Sequence, residues 1–214
     1  MLHGLLLVVL GTLAIVVTIA LTSVEPATES APILIISVAA SSTILVVAAL
    51  LFGPRRHGVP LSALGLRPWG AGQLVLPLAV FAAIIIFNGA YGAVVTELGW
   101  DVLIPPDRPF EPDFQPSQLV LLGLLIIGVG PMAEEVFFRG FIMSGLVRSL
   151  GPRGGVLLSA LIFSLAHVDP AVYLPIFVAG VLLAWLYMKT GSLLACFFAH
   201  GAQNAVAFAV IVAT

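Results

Sequence analysis

The chain has 214 residues, of which 61% are hydrophobic and only 8% charged. A soluble domain carries about 25% charged residues, so this composition excludes an ordinary water-soluble fold and points to a polytopic membrane protein. The net charge of −2 suggests no nucleic-acid partner, and a single cysteine, Cys196, excludes an intrachain disulfide framework.

A spanning helix needs about 20 mostly apolar residues, and backbone groups in lipid must pair internally. In chain order the apolar runs are 2–22, 31–52, 73–95, 117–133, 154–167, 171–188 and 192–213. The expected fold is therefore all-α, a single membrane domain over 1–214 built as a bundle of about seven transmembrane segments. Run 2–22 has no basic stretch before it and further spans after it, so it reads as a first transmembrane helix rather than a signal peptide. The loop 100–116, "WDVLIPPDRPFEPDFQP", is the longest irregular segment. Its prolines with Trp100, Phe110 and Phe114 suit an interfacial lid or a plain connection. The fourth run keeps helical character past Pro131 up to Leu150, and Gly128, Gly130 and Pro131 suggest a kink or break before residue 134. The fifth run is short enough to be tilted or partly sunk within the protein.

The loops alternate in charge. Arg55, Arg56, Arg67, Arg148, Arg153 and Lys189 fall on one side, and Arg108 alone falls on the other. The positive-inside rule makes the richer side cytoplasmic, which puts the N-terminus inside a multi-pass protein of the cell membrane and the C-terminus outside.

Ionisable groups at membrane depth cost about 2.5–3.5 kcal/mol each on insertion scales and usually mark a functional site. The last four runs hold Glu134, Glu135, Arg139, His167, His200 and Asn204. The first three, over 1–95, add little beyond Asn88 and Tyr91, and Asn88 reads as a hydrogen bonder between packed helices. Glu135 and Arg139 are four apart and can pair on one helix face. Glu134 points about 100° away and has Phe138, not a cation, four residues on. It is the candidate general base, with Glu135–Arg139 as its brace; the alternative is one buried ion-pair network that only holds helices together. Phe163 lies one turn before His167, and His200 and Asn204 share a face, with Gly201 allowing close approach. A base, an imidazole and neutral donors are what amide hydrolysis requires, to activate water and to stabilise an oxyanion.

Other chemistries fit less well. The aspartates at 101, 107, 113 and 169 lie in loops or at span edges, so an aspartyl dyad is missing. Ser159 and Ser164 lack a nucleophile-elbow context. Cys196, four residues before His200, has thiol–imidazole spacing but reads better as a small apolar residue. A proton-coupled transporter would fit the Glu/His set, but inverted repeats are absent. A non-catalytic membrane scaffold is the other alternative.

The residues "EEVFFR" at 134–139, "FSLAH" at 163–167 and "HGAQN" at 200–204, with "FVAGVLLAWLYMKTGSLLACFFAH" leading into the last, resemble the CPBP family of intramembrane proteases. These are the CAAX-processing endopeptidases and bacteriocin-processing (Abi) proteins. The likeness covers about 115–205. It implies an endopeptidase in which Glu134 and His167 activate water, His200 and Asn204 stabilise the oxyanion, and Glu135, Arg139 and Phe163 support them. The implied partner is a membrane-associated protein or peptide in the lipid bilayer, prenylated or not, and CAAX-type processing acts from the cytosolic side. The preferred reading uses no cofactor. The alternative is a zinc enzyme with Glu134, His167 and His200 as ligands and an open fourth position, although H-E-x-x-H is absent.

Overall fold

The computed structural model describes residues 31–67, 69–70, 74–104, 114–167 and 169–213, all helix and connection without a strand among them. Helix α1 is Ala31–Leu50, continued by a π-helical turn over Leu51–Arg55; α2 is Val75–Glu97. A long helical element then starts with α3 (Pro116–Leu124), passes a π segment at Leu125–Val129, α4 (Gly130–Glu134) and a second π segment at Glu135–Met143, and ends in α5 (Ser144–Leu165), which is two helices joined across a break at Gly151. Helices α6 (Tyr173–Thr190) and α7 (Leu193–Ala213) complete the bundle. The long element begins on a capping box, in which Gln115 and Gln118 satisfy each other's backbone N–H groups and Pro116 supplies the first helical residue.

Five of these stretches are long and apolar enough to cross a membrane: Ala31–Arg55, Val75–Glu97, Pro116–Leu165, Pro170–Thr190 and Leu193–Ala213. Side chains such as Ile36, Val75, Ile86, Val120 and Leu124 point outward, which suits lipid and not water. The chain is thus an all-α, multi-pass membrane protein. The expected number of about seven is not reached among the described residues, for two reasons. Run 2–22 lies outside them, and the fourth and fifth runs form one 50-residue element. That element turns at Gly151, whose φ of 72° and ψ of 173° suit glycine alone, followed by Pro152. The central part of the lid expected over 100–116, residues 105–113, also lies outside the described residues.

The loops gather at two ends. At one end, the Tyr187 hydroxyl donates to Leu64 O, Ser192 Oγ to Arg67 O and Leu193 N to Gly65 O, while Pro54, His57 and Leu64 share a small cavity with Ser144 and Arg148. This end carries Arg55, Arg56, Arg67, Arg148 and Lys189. At the other, Tyr91 donates to Ala171 O, and the short helix Asp101–Leu103 packs on Pro170–Val172 beside Asp169. Between them lies the core, in which Phe137, Ile142, Leu183, Leu186 and Leu193 are fully buried together with two charged residues, Glu135 and Arg139.

Candidate functional site

The local geometry begins with Pro131. In the π segment before it, the Gly130 N–H reaches back to Leu125 O, and Pro131 has no N–H to give. The carbonyl of Ile126 therefore lacks both its four-residue and its five-residue helical donor. Asn204 of α7 fills the vacancy, its Nδ2 donating to Ile126 O at 3.0 Å across 78 residues of sequence. Gly201, one turn earlier on α7, sits against the next carbonyl. A Cβ there would lie 2.7 Å from Ile127 O, closer than real Cβ atoms come. The expected kink is thus a π-helical bulge, and it forms the socket on which α7 docks. Gly201→Ala should push α7 off this socket. Overpacking of this kind destabilises by about 1–3 kcal/mol, to be read as a lower melting temperature in detergent, and a variant as stable as the parent would contradict the contact.

Docking brings the charged residues together. Arg139 Nη1 donates to Glu135 Oε1 at 2.9 Å, as the spacing predicts, and the pair is almost wholly buried at 1% and 0% exposure. Arg139 Nη2 reaches Gly180 O at 3.4 Å, and its guanidinium lies 4.4 Å from the centre of the Phe163 ring. Phe163 also meets Phe138, His167 and His200 edge-on, so one aromatic ring touches the Arg139 guanidinium and both imidazoles.

His200 joins the two glutamates. Its Nδ1 lies 2.8 Å from Glu135 Oε1 and its Nε2 lies 3.6 Å from Glu134 Oε2. Glu134 is therefore free of the Arg139 brace, as expected, but not isolated. A carboxylate oxygen only accepts, so His200 Nδ1 carries a proton, and Nε2 can donate only when the ring holds a second one. The same reasoning fixes His167. Its Nδ1 lies 2.9 Å from Phe163 O, a carbonyl that can only accept, which leaves Nε2 of the neutral ring with a lone pair.

Glu134, His167, His200 and Asn204 line one cavity of about 240 Å³, with Ile126, Phe163, Leu183 and Phe208 among its apolar walls. Glu134 is 26% exposed within it, while Glu135 and Arg139 lie behind the wall. Gln203, which the sequence reading left unassigned, also lines the cavity, and its Oε1 is buried without a hydrogen-bond partner. Its place directly before Asn204, three residues after His200 on an apolar helix, was the available signal. Glu135 Oε2 is orphaned likewise. So is Asn88 Oδ1, where the sequence reading expected a hydrogen bond between helices.

The rejected nucleophiles are all engaged elsewhere. Ser159 and Ser164 donate to the carbonyls of Val156 and Tyr173, and Cys196 is fully buried with its Sγ 3.4 Å from Leu183 O. Asp169 Oδ1 accepts from Ala171 N at the start of a short helix. Among the described residues, no three His, Cys, Asp or Glu side chains are gathered as a metal-ligand set. Glu135 Oε1 already serves Arg139 and His200.

Residues 116–206 match the family model described as type II CAAX prenyl endopeptidase Rce1-like. No curated protein and no solved structure matches the chain. The matched stretch holds both π segments, the Glu135–Arg139 brace and all five polar residues of the cavity wall, and stops just before its lining residues Ala207, Phe208 and Ile211. Over residues 116–206, less than half of its length, the chain is similar to the Rce1-like, CAAX protease (CPBP) family.

Proposed function

We propose that the chain is an intramembrane endopeptidase that hydrolyses a peptide bond of a membrane-associated substrate, with water activated by Glu134 and His167. The observation that carries this reading is the shared cavity of Glu134, His167, His200 and Asn204, in a wall made, apart from Gln203, of apolar side chains. The family's description supports the reaction type.

Glu134 takes a proton from a water molecule in the cavity, and the lone pair on His167 Nε2 accepts a hydrogen bond from the same water and orients it. The hydroxide adds to the scissile carbonyl carbon. The resulting oxyanion is met by His200 Nε2–H, provided that the ring is doubly protonated, and by the second N–H of Asn204, since the first is committed to Ile126 O. Glu135 holds and orients the His200 ring through the 2.8 Å contact with Nδ1. Protonated Glu134 then returns its proton to the departing amine, and the bond breaks. The substrate class implied by the family is a prenylated tail; for this chain, the apolar walls support a peptide flanked by apolar groups, prenylated or not.

The test is purified protein in liposomes with a membrane-tethered peptide and mass analysis of the products. Cleavage in H₂¹⁸O should place one heavy oxygen in the new carboxylate, and a chain that binds the peptide without cutting it would overturn the reading. Well-washed protein should hold no stoichiometric zinc and should keep its rate in chelator. About one equivalent of zinc, lost and regained in step with activity, would replace unaided water activation with a metal held by Glu134, His167 and His200.

A further inference from the structure

The cavity and the basic loops lie toward opposite ends of the bundle. Helix α7 starts at the basic end, where Leu193 N bonds Gly65 O and Ser192 holds Arg67 O. Its cavity-lining residues begin at His200 and continue through Asn204, Ala207 and Phe208 to Ile211. The eleven helical rises of 1.5 Å from His200 to Ile211 make this wall about 16 Å long, running from mid-bundle away from the basic loops. The neighbouring helices agree. His167 and Ile176 line the cavity on either side of the turn that holds Asp169, and on the long element Ile126 lies toward Pro116 rather than toward Arg148. Within the wall, Glu134 is 26% exposed and His200 6%, whereas His167 and Ala207, farther toward the acidic end, are exposed. Access therefore widens toward Glu97, Asp101 and Asp169.

Lys and Arg near span ends set orientation, whereas Asp and Glu contribute little. Arg55, Arg56, Arg67, Arg148, Arg153 and Lys189 mark one end, and Arg108, the one further Lys or Arg of the loops, falls outside the described residues. We propose that the site is entered from the non-cytoplasmic face of the membrane, and that its substrate is a peptide segment emerging from the bilayer on that face rather than a cytosolic C-terminal tail. The word substrate rests on the peptidase reading above; the direction of access does not.

The experiment uses the full chain with Cys196→Ala as background, since that thiol is buried and outside the cavity wall. Single cysteines replace Ala207 in the cavity, Val102 at the acidic end and Ser149 at the basic end, all exposed positions. Sealed right-side-out vesicles are treated with a membrane-impermeant maleimide before and after permeabilisation. Ala207→Cys and Val102→Cys should label in sealed vesicles, and Ser149→Cys only after permeabilisation. The reverse pattern, or labelling of Ala207→Cys only once the vesicles are opened, overturns the proposal. Labelling requires no turnover, so a protein that never cleaves would defeat the peptidase reading and leave this result standing. In a cleaving preparation, the impermeant reagent should abolish activity of Ala207→Cys in sealed vesicles and spare the background protein.

Discussion

Glu134→Gln is expected to lower peptide cleavage by at least a hundredfold while leaving the protein folded. Glu134 is the one carboxylate of the cavity wall, partly open to it and free of Arg139. Glutamine preserves its volume and can still accept a hydrogen bond from His200, so packing is retained. What it loses is the ability to take a proton from water. A positioned base contributes about 10²–10⁴-fold. Single-turnover cleavage assays beside thermal melts in detergent would check this. A variant that keeps more than about a tenth of the parent rate would remove Glu134 from the reaction.

Breaking the brace should have the largest effect on stability. In Arg139→Met, the Glu135 carboxylate stays buried at 0% exposure, with Oε2 already unpaired and Oε1 left to His200 alone. Removing one partner of a buried pair costs about 3–5 kcal/mol, because the other charge stays behind uncompensated. Glu135→Gln should cost in the same direction by stranding Arg139, and should also slow cleavage by releasing His200. The double variant should be less destabilised than the sum of the two, since the stranded charge is gone. Chemical denaturation in detergent measures all three. Unchanged stability in both single variants would mean that the pair is not buried as described.

Sequence patterns gave most of what is local. The apolar runs located the described helices to within a few residues, and the four-residue spacing of Glu135 and Arg139 gave their ion pair. Other features depend on partners far along the chain. No periodicity links Glu135 to His200, 65 residues away, or Ile126 to Asn204, yet these contacts decide which nitrogen of His200 faces the cavity and which N–H of Asn204 is spent. Pro131 announced a disturbance, but the same sequence suits a kink or a π bulge, and only the donor supplied by α7 selects between them. The second π segment, over Glu135–Met143, follows from nothing in its composition that we can identify. The break at Gly151–Pro152 and the unpaired Asn88 Oδ1 were both left unread in the sequence.

The buried charges also bear on how the chain enters a membrane. Arg139 and Glu135 sit one turn apart on a single helix, so they can neutralise each other while that helix is being inserted, before any later segment exists. A lone charge at the bilayer centre would add about 2.5–3.5 kcal/mol to that step. Glu134 has no such companion, because His200 is synthesised 66 residues afterwards. It gains its imidazole neighbour only when α7 docks on the carbonyls of Ile126 and Ile127. The contacts of Glu134 and Glu135 with His200 are therefore completed only by a helix made after them, and a nascent chain that stops before α7 carries the brace without that wall of the cavity.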